Sequence, residues 1–379
     1  MRKRGDPERP VRTAPAVTAG SWSIPRGLIV VLAAAATVVA IAGMKSFAGV
    51  LGPAFLALML TVAVQPLQGW VQRRGLRPWV GMVAAVVAVV VILVALVGAL
   101  VLSAAQLATQ LPEYSDRVDE LLDGVRTKLS DAGVDSEQIH NMLGALDVNK
   151  LVVVLEDVLR GLLGVASNLI FVVALLLFMA IDGMIIGKKM TVVATVRPEI
   201  AYALEAFARG TRKYLVVSTV FGLIVGVFDG VALWWMGVPL PVLWALLSFI
   251  TNYIPNIGFV IGVVPPALLA LLDSGPILML WVIVVYCVIN FVIQSIIQPK
   301  YVGDSVGLGV TVTFLSLVFW SWVLGALGAL LAIPLTLLVK AVVLDIDPTT
   351  RWVNTLISDK APAPEESDGT QRPEFTRNV

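Results

Sequence analysis

The stretch SFITNYIPNIGFVIGVVPP, Ser248–Pro266, sits inside the apolar run Leu240–Leu272, yet it carries Asn252, Asn256 and three prolines. As one helix that run would extend about 50 Å at ~1.5 Å per residue, well beyond the ~30 Å hydrocarbon core of a bilayer. Pro255 removes an internal donor and the sequence PNIG can unwind, so two half-helices meeting at Asn256 predict a re-entrant hairpin that returns to the side it entered. Restoring helix propensity there, by ~3 kcal/mol with Pro255→Ala and ~1 kcal/mol with Gly258→Ala, is expected to straighten the tip and leave assembly intact. The run from Val306 to Lys340 is also too long for one perpendicular span and is expected to turn about Ser321–Gly328. Between the two lies a regular span, Pro276–Gln298. If the first hairpin enters from outside, Asp273 stays outside, Lys300 falls in the cytoplasm and the second hairpin enters from within, an inverted pair. The alternative is eight ordinary tilted spans with prolines as kinks.

Composition agrees with a lipid-embedded chain. Hydrophobic residues make up 58% and charged residues 14%, and the mean hydropathy is +0.90, which together indicate a polytopic membrane protein. Strand alternation is absent, so helices must satisfy the backbone. The expected fold is all-α, with about six crossing helices, two re-entrant hairpins and a small helical external domain.

Working outward, residues 1–23 form a basic, proline-containing segment expected to be a disordered cytoplasmic tail. Three transmembrane helices follow in 24–102: Ile24–Gly43 and Phe47–Gln65 as a hairpin, then Val80–Leu102. Arg73, Arg74 and Arg77 between them belong inside by the positive-inside rule. Residues 103–160 lose hydropathy and hold eleven Asp or Glu against five Lys or Arg, an acidic external domain. Its Leu111, Tyr114, Val118, Leu121, Val125 and Leu129 recur at helical spacing, and a second short helix is expected at Ser136–Leu146. The transport core is 161–342. A fourth span at Leu159–Ile181 leads into interfacial cytoplasmic helices near 187–213, marked by Lys188, Lys189, Arg197, Arg209, Arg212 and Lys213, and a fifth span runs Tyr214–Trp235. Residues 343–379 read as a second disordered cytoplasmic tail, which places both termini inside.

Chemistry-bearing residues are few. Gly222, Gly226 and Gly230 make a face suited to close helix packing. Asp229, beside that face, is a candidate for ion coupling, because an ionisable group within a span is costly unless used. The competing reading has it snorkelling to the interface marked by Trp234 and Trp235. Asn290, Gln294 and Gln298 form a polar stripe on the connecting span, suited to interhelical hydrogen bonds or to lining a pathway. With Asn252, Pro255, Asn256 and Gly258 at the first break, these are the candidate substrate-binding residues, since unwound backbone in paired broken segments is where transporters expose polar groups. His140 stands alone and Cys287 is the single cysteine, so neither a metal site nor a disulfide is expected. No cofactor is implied. The GMIIG–Lys188 sequence lacks the spacing and the strand of a phosphate loop, and HExxH and GxSxG are absent. An enzyme and a nucleic-acid partner are not expected, and transport would be passive or driven by an ion gradient rather than by ATP. A non-transporting membrane scaffold acting through the external domain is the reading of another class.

The residues DG at Asp182–Gly183, MGVP at Met236–Pro239, IPNIG at Ile254–Gly258, IIQPKYVGDSVGL at Ile296–Leu308 and GALGALLAIPL at Gly325–Leu335 resemble the autoinducer-2 exporter (AI-2E) family of bacterial transporters, as does the order of spans. The resemblance covers about residues 25–345. It implies a homo-oligomeric protein of the bacterial inner membrane that exports small polar molecules such as autoinducer-2, or, as in some relatives, exchanges sodium or lithium for protons. The partners so implied are the lipid bilayer, a small polar solute and a coupling cation or proton.

Overall fold

The computed structural model describes residues 25–75, 77–131, 148–255, 257–298 and 308–347, with 350, 353 and 357, of the chain. Among the described residues every regular element is helical. The expected helix at Ser136–Leu146, His140, Asn256, Lys300 and most of both tails lie outside them.

The chain divides into two units, Met1–Ser46 and Phe47–Val379. The first contains α1 (Arg26–Ser46), whose Leu28, Val30, Leu32, Val38 and Val39 are all exposed. A helix apolar all round is suited to lipid contact.

The second unit begins with α2 (Ala48–Arg73) and α3 (Pro78–Gln110), then a single 3₁₀ turn, Leu111–Tyr114, and α4 (Ser115–Asp131). Two long helices follow, α5 (Val148–Val196) and α6 (Pro198–Trp235). Where a fourth span and separate interfacial helices were expected, α5 runs unbroken through DGMIIGKK, because isolated glycines weaken a helix without ending it. The break waits for Pro198. The residue before a proline is pushed out of the helical region, and Arg197 has φ −141° and ψ 75°. At its other end α6 stops at Gly237, which takes φ 75°. The amide of Val238 donates to the Leu233 carbonyl and that of Gly237 to the Trp234 carbonyl, the Schellman arrangement that a glycine at this place permits.

The first broken segment forms α7 (Pro241–Thr251) and α8 (Gly258–Ser274). At ~1.5 Å per residue α7 reaches only about 16 Å, too short to cross a bilayer. The two helices fold back on each other: a methyl group built on Gly262 would lie 3.1 Å from Thr251 Oγ1 and 3.7 Å from Ser248 Oγ. Leu243 near the start of the segment and Leu269 and Ala270 near its end share one buried cluster with Leu233 of α6, so both ends of the hairpin sit beside the same end of α6. At the tip, a methyl on Gly258 would run into the Thr251 carbonyl. This alters the expectation for Gly258→Ala: the glycine is what lets the hairpin close, and substituting it attacks the fold and not merely the tip.

The connecting helix α9 (Pro276–Asn290) passes into a π-turn at Phe291–Ile297, so the expected regular span is widened at its end. The second broken segment forms α10 (Val310–Leu330) and α11 (Ala332–Lys340), the latter continued by a π-turn at Ala341–Asp345. Within α10 the backbone leaves the helical region at Gly325, φ 66° and ψ −144°. There the chain reverses. Trp320 Nε1 donates to Thr336 Oγ1 at 3.1 Å, whereas sixteen residues of straight helix would separate them by about 24 Å. A methyl on Gly328 would strike the Trp320 carbonyl. The turn thus falls within the expected Ser321–Gly328.

Among the described residues, seven helices have the length and apolarity to cross a membrane. Six of them, α1, α2, α3, α5, α6 and α9, coincide with the spans expected from sequence, and the seventh, α10, carries the reversal at Gly325 within it. The chain is a polytopic helical membrane protein. Arg212 of α6 joins α2 near its Arg73 end, donating to the Val62 carbonyl at 3.3 Å and to Gln65 Oε1 at 2.7 Å.

Candidate functional site

The three glycines of α6 pack as their spacing predicts. Methyl groups on Gly226 and Gly230 would stand 2.7 Å from the Ala245 carbonyl oxygen and 2.8 Å from Ala245 Cβ, and one on Gly222 would meet Asn252 Nδ2 at 3.0 Å. The missing side chains let α7 lie against α6 at near-backbone contact. That approach brings the polar residues of the first hairpin onto the same level as Asp229.

Three elements meet there in a buried cavity of about 10 Å³, the room one water-sized sphere occupies. From α6 comes Asp229, 0% exposed. The hairpin supplies Ser248, Thr251 and Asn252, and α9 with its π-turn supplies Tyr286, Asn290 and Gln294. The amides form a chain: Gln294 Nε2 donates to Asn252 Oδ1 at 3.0 Å and to Asn290 Oδ1 at 2.9 Å, Asn252 Nδ2 to the Ser218 carbonyl at 3.1 Å, and Asn290 Nδ2 to the Tyr286 carbonyl at 3.0 Å. Against this satisfied network, both oxygens of Asp229, Ser248 Oγ and the Tyr286 hydroxyl make no hydrogen bond of regular geometry among the described residues, although the Ser248 hydroxyl lies near enough to interact with both Asp229 and Tyr286. Buried polar groups are ordinarily paired, and these four oxygens lining one cavity form a cluster of groups able to engage a cation, a proton donor or a hydroxyl. No metal-holding group of three or more His, Cys, Asp or Glu occurs among the described residues.

The tip is stapled to α6 on its other face. Tyr214 donates to the Tyr253 carbonyl at 2.5 Å, and the Tyr253 hydroxyl shares a hydrogen with Thr219 Oγ1 at 2.6 Å. Phe249 and Tyr253 stack edge to face with centroids 5.8 Å apart.

The structure therefore brings together Asp229, Asn252, Asn290 and Gln294, residues chosen separately from the sequence. Asp229 does not snorkel: it is buried, while Trp234 and Trp235 are 73% and 86% exposed. Pro255 and Gly258 shape the tip without lining the cavity, and Gln298 lies beyond it, its backbone N–H closing the π-turn on the Ile293 carbonyl. Ser248, Thr251 and Tyr286 were missed. The signal was present, because Tyr286 stands one helical turn before Asn290 and Ser248 one turn before Asn252; the polar stripe extends backward along α9 rather than forward to Gln298.

The profile of the family described as "AI-2E family transporter" matches residues 28–347. Among similar proteins, "Putative transport protein YhhT" of Escherichia coli K12 is 32% identical over 315 residues, covering 83% of this chain and 90% of that protein. "AI-2 transport protein TqsA" of the same organism is 31% identical over 339 residues, covering 88% and 96%.

Proposed function

Since the chain belongs to the AI-2E family of transporters, we propose that it exports a small polar solute of the autoinducer-2 kind across the bacterial inner membrane, without ATP, along a route past the first hairpin tip. The observation that carries this reading is the buried cavity where Asp229, Ser248 and Tyr286 face the amide chain of Asn252, Asn290 and Gln294. A break in a membrane helix is tolerated where it lines a polar cavity, and here it delivers Asn252 to that cavity. In this reading both broken segments are re-entrant and Asp229 takes up the coupling cation or proton, since an isolated buried carboxylate is stabilised by acquiring a positive charge.

The small volume of the cavity favours a second reading, exchange of a monovalent cation for a proton at Asp229, with no organic solute. Proteoliposome flux of autoinducer-2 and of sodium, each under imposed pH gradients, separates the two. In the first reading autoinducer-2 moves and Asp229→Asn abolishes its response to the gradient. Sodium flux alone selects the exchanger. Autoinducer-2 flux with an unchanged pH response in Asp229→Asn removes Asp229 from coupling.

A further inference from the structure

A second cavity lies against the first. It is an open depression of about 580 Å³, within the range of small-molecule sites, roughly 300–1,000 Å³. Phe259 of α8 forms one side, and Cys287, Asn290, Phe291, Gln294 and Ser295 of α9 and its π-turn form the other. Phe259, Asn290 and Gln294 line both this depression and the buried cavity at Asp229. The two spaces thus adjoin at these three side chains, and the side-chain amide of Gln294 is bonded there to Asn252 on the hairpin and to Asn290 below.

We propose that this depression is a water-filled vestibule that receives a small uncharged solute, and that Gln294 is the gate between it and the Asp229 cavity. Two amides and the Ser295 hydroxyl offer donors and acceptors, two phenyl rings offer an apolar face, and among the described residues no charged side chain lines it, which suits a neutral, hydrogen-bonding molecule better than an ion. Polar side chains turned toward hydrocarbon are costly, so Asn290, Gln294 and Ser295 on this face argue for water there. The π-turn is part of the device. Such turns take one more residue into each hydrogen-bonded loop and recur at functional sites; here the turn begins directly after Asn290 and contains Gln294. The proposal rests on the transport reading for its purpose, but not for its test.

Cys287 is the only cysteine of the chain and is exposed in the depression. Full-length protein in proteoliposomes is treated on both sides with a charged, membrane-impermeant methanethiosulfonate, and separately with a lipid-soluble maleimide. Cys287 is expected to react with the charged reagent about tenfold faster than a cysteine at exposed Val227 in a Cys287→Ala background, because the thiolate is the reacting species and apolar surroundings suppress it. Reaction with the maleimide alone, or with neither reagent, would overturn the vestibule. For the gate, Ser248→Cys in the Cys287→Ala background reports access to the buried cavity. Gln294→Ala is expected to raise its labelling about tenfold by removing two hydrogen bonds, with Ile296→Ala as the comparison. Equal labelling in the two variants would overturn the gate. Neither readout uses flux, so an inert vestibule and a failed transport reading give different patterns.

Discussion

Gly258 lies under the Thr251 carbonyl and Gly328 under the Trp320 carbonyl, so the two broken segments close by the same steric device. Both reverse the chain inside an apolar run, the first between α7 and α8 and the second at Gly325 within α10. What they close around differs. The first tip carries Asn252 into a network beside Asp229, Ser248 and Tyr286. At the second, Trp320 donates to Thr336, with Leu331, Ile333 and Leu335 buried around it. The first tip thus gathers polar side chains, while the second is packed with apolar ones.

The largest expected effect tests the shared device. Gly258→Ala and Gly328→Ala should each cost about 3 kcal/mol or more, since the added methyl meets a backbone carbonyl that cannot move aside cheaply. Detergent-solubilised yield and melting should fall together for both, while Gly98→Ala, with open space around it, should be neutral or mildly stabilising. Tolerance at either tip glycine would break the parallel. A smaller effect probes the second segment alone: Trp320→Phe removes one buried hydrogen bond, worth about 1 kcal/mol, and should lower melting slightly while flux persists. Loss of flux in a stable Trp320→Phe protein would place chemistry at the second tip as well. Labelling of single cysteines changes no packing and sharpens the inverted arrangement. In a Cys287→Ala background, a cysteine at Asp273 should label from outside and one at Lys300 only after permeabilisation, whereas outside labelling at 300 would favour eight spans.

Much of this architecture was legible because lipid permits few solutions. Apolar length against bilayer thickness located both breaks, and the GxxxGxxxG spacing on α6 announced the tight seat of α7. The elements that escaped were those decided by three-dimensional neighbours. Asp229 has the same sequence context whether it snorkels or is buried, and only the approach of α7 and α9 seals it in. Ser248 and Tyr286 stand one helical turn before Asn252 and Asn290, but only folding brings both into the cavity that Asp229 lines. Gln298 repeats the four-residue spacing of Asn290 and Gln294, but spacing alone does not reveal where along a helix the neighbouring hairpin ends. The unbroken course of α5 reflects the weakness of glycine as a helix stop compared with proline at position 198.

The division of labour between the tips is tested most directly by autoinducer-2 flux and melting measured side by side for Asn252→Leu and Thr336→Val in proteoliposomes. Each removes a polar partner from one tip, Asn252 from Gln294 and Ser218, Thr336 from Trp320. Each should cost stability on the order of 1–3 kcal/mol. The account predicts that Asn252→Leu loses flux while the protein remains assembled, and that Thr336→Val retains it. Normal flux in an assembled Asn252→Leu protein, or selective loss in Thr336→Val, would contradict it.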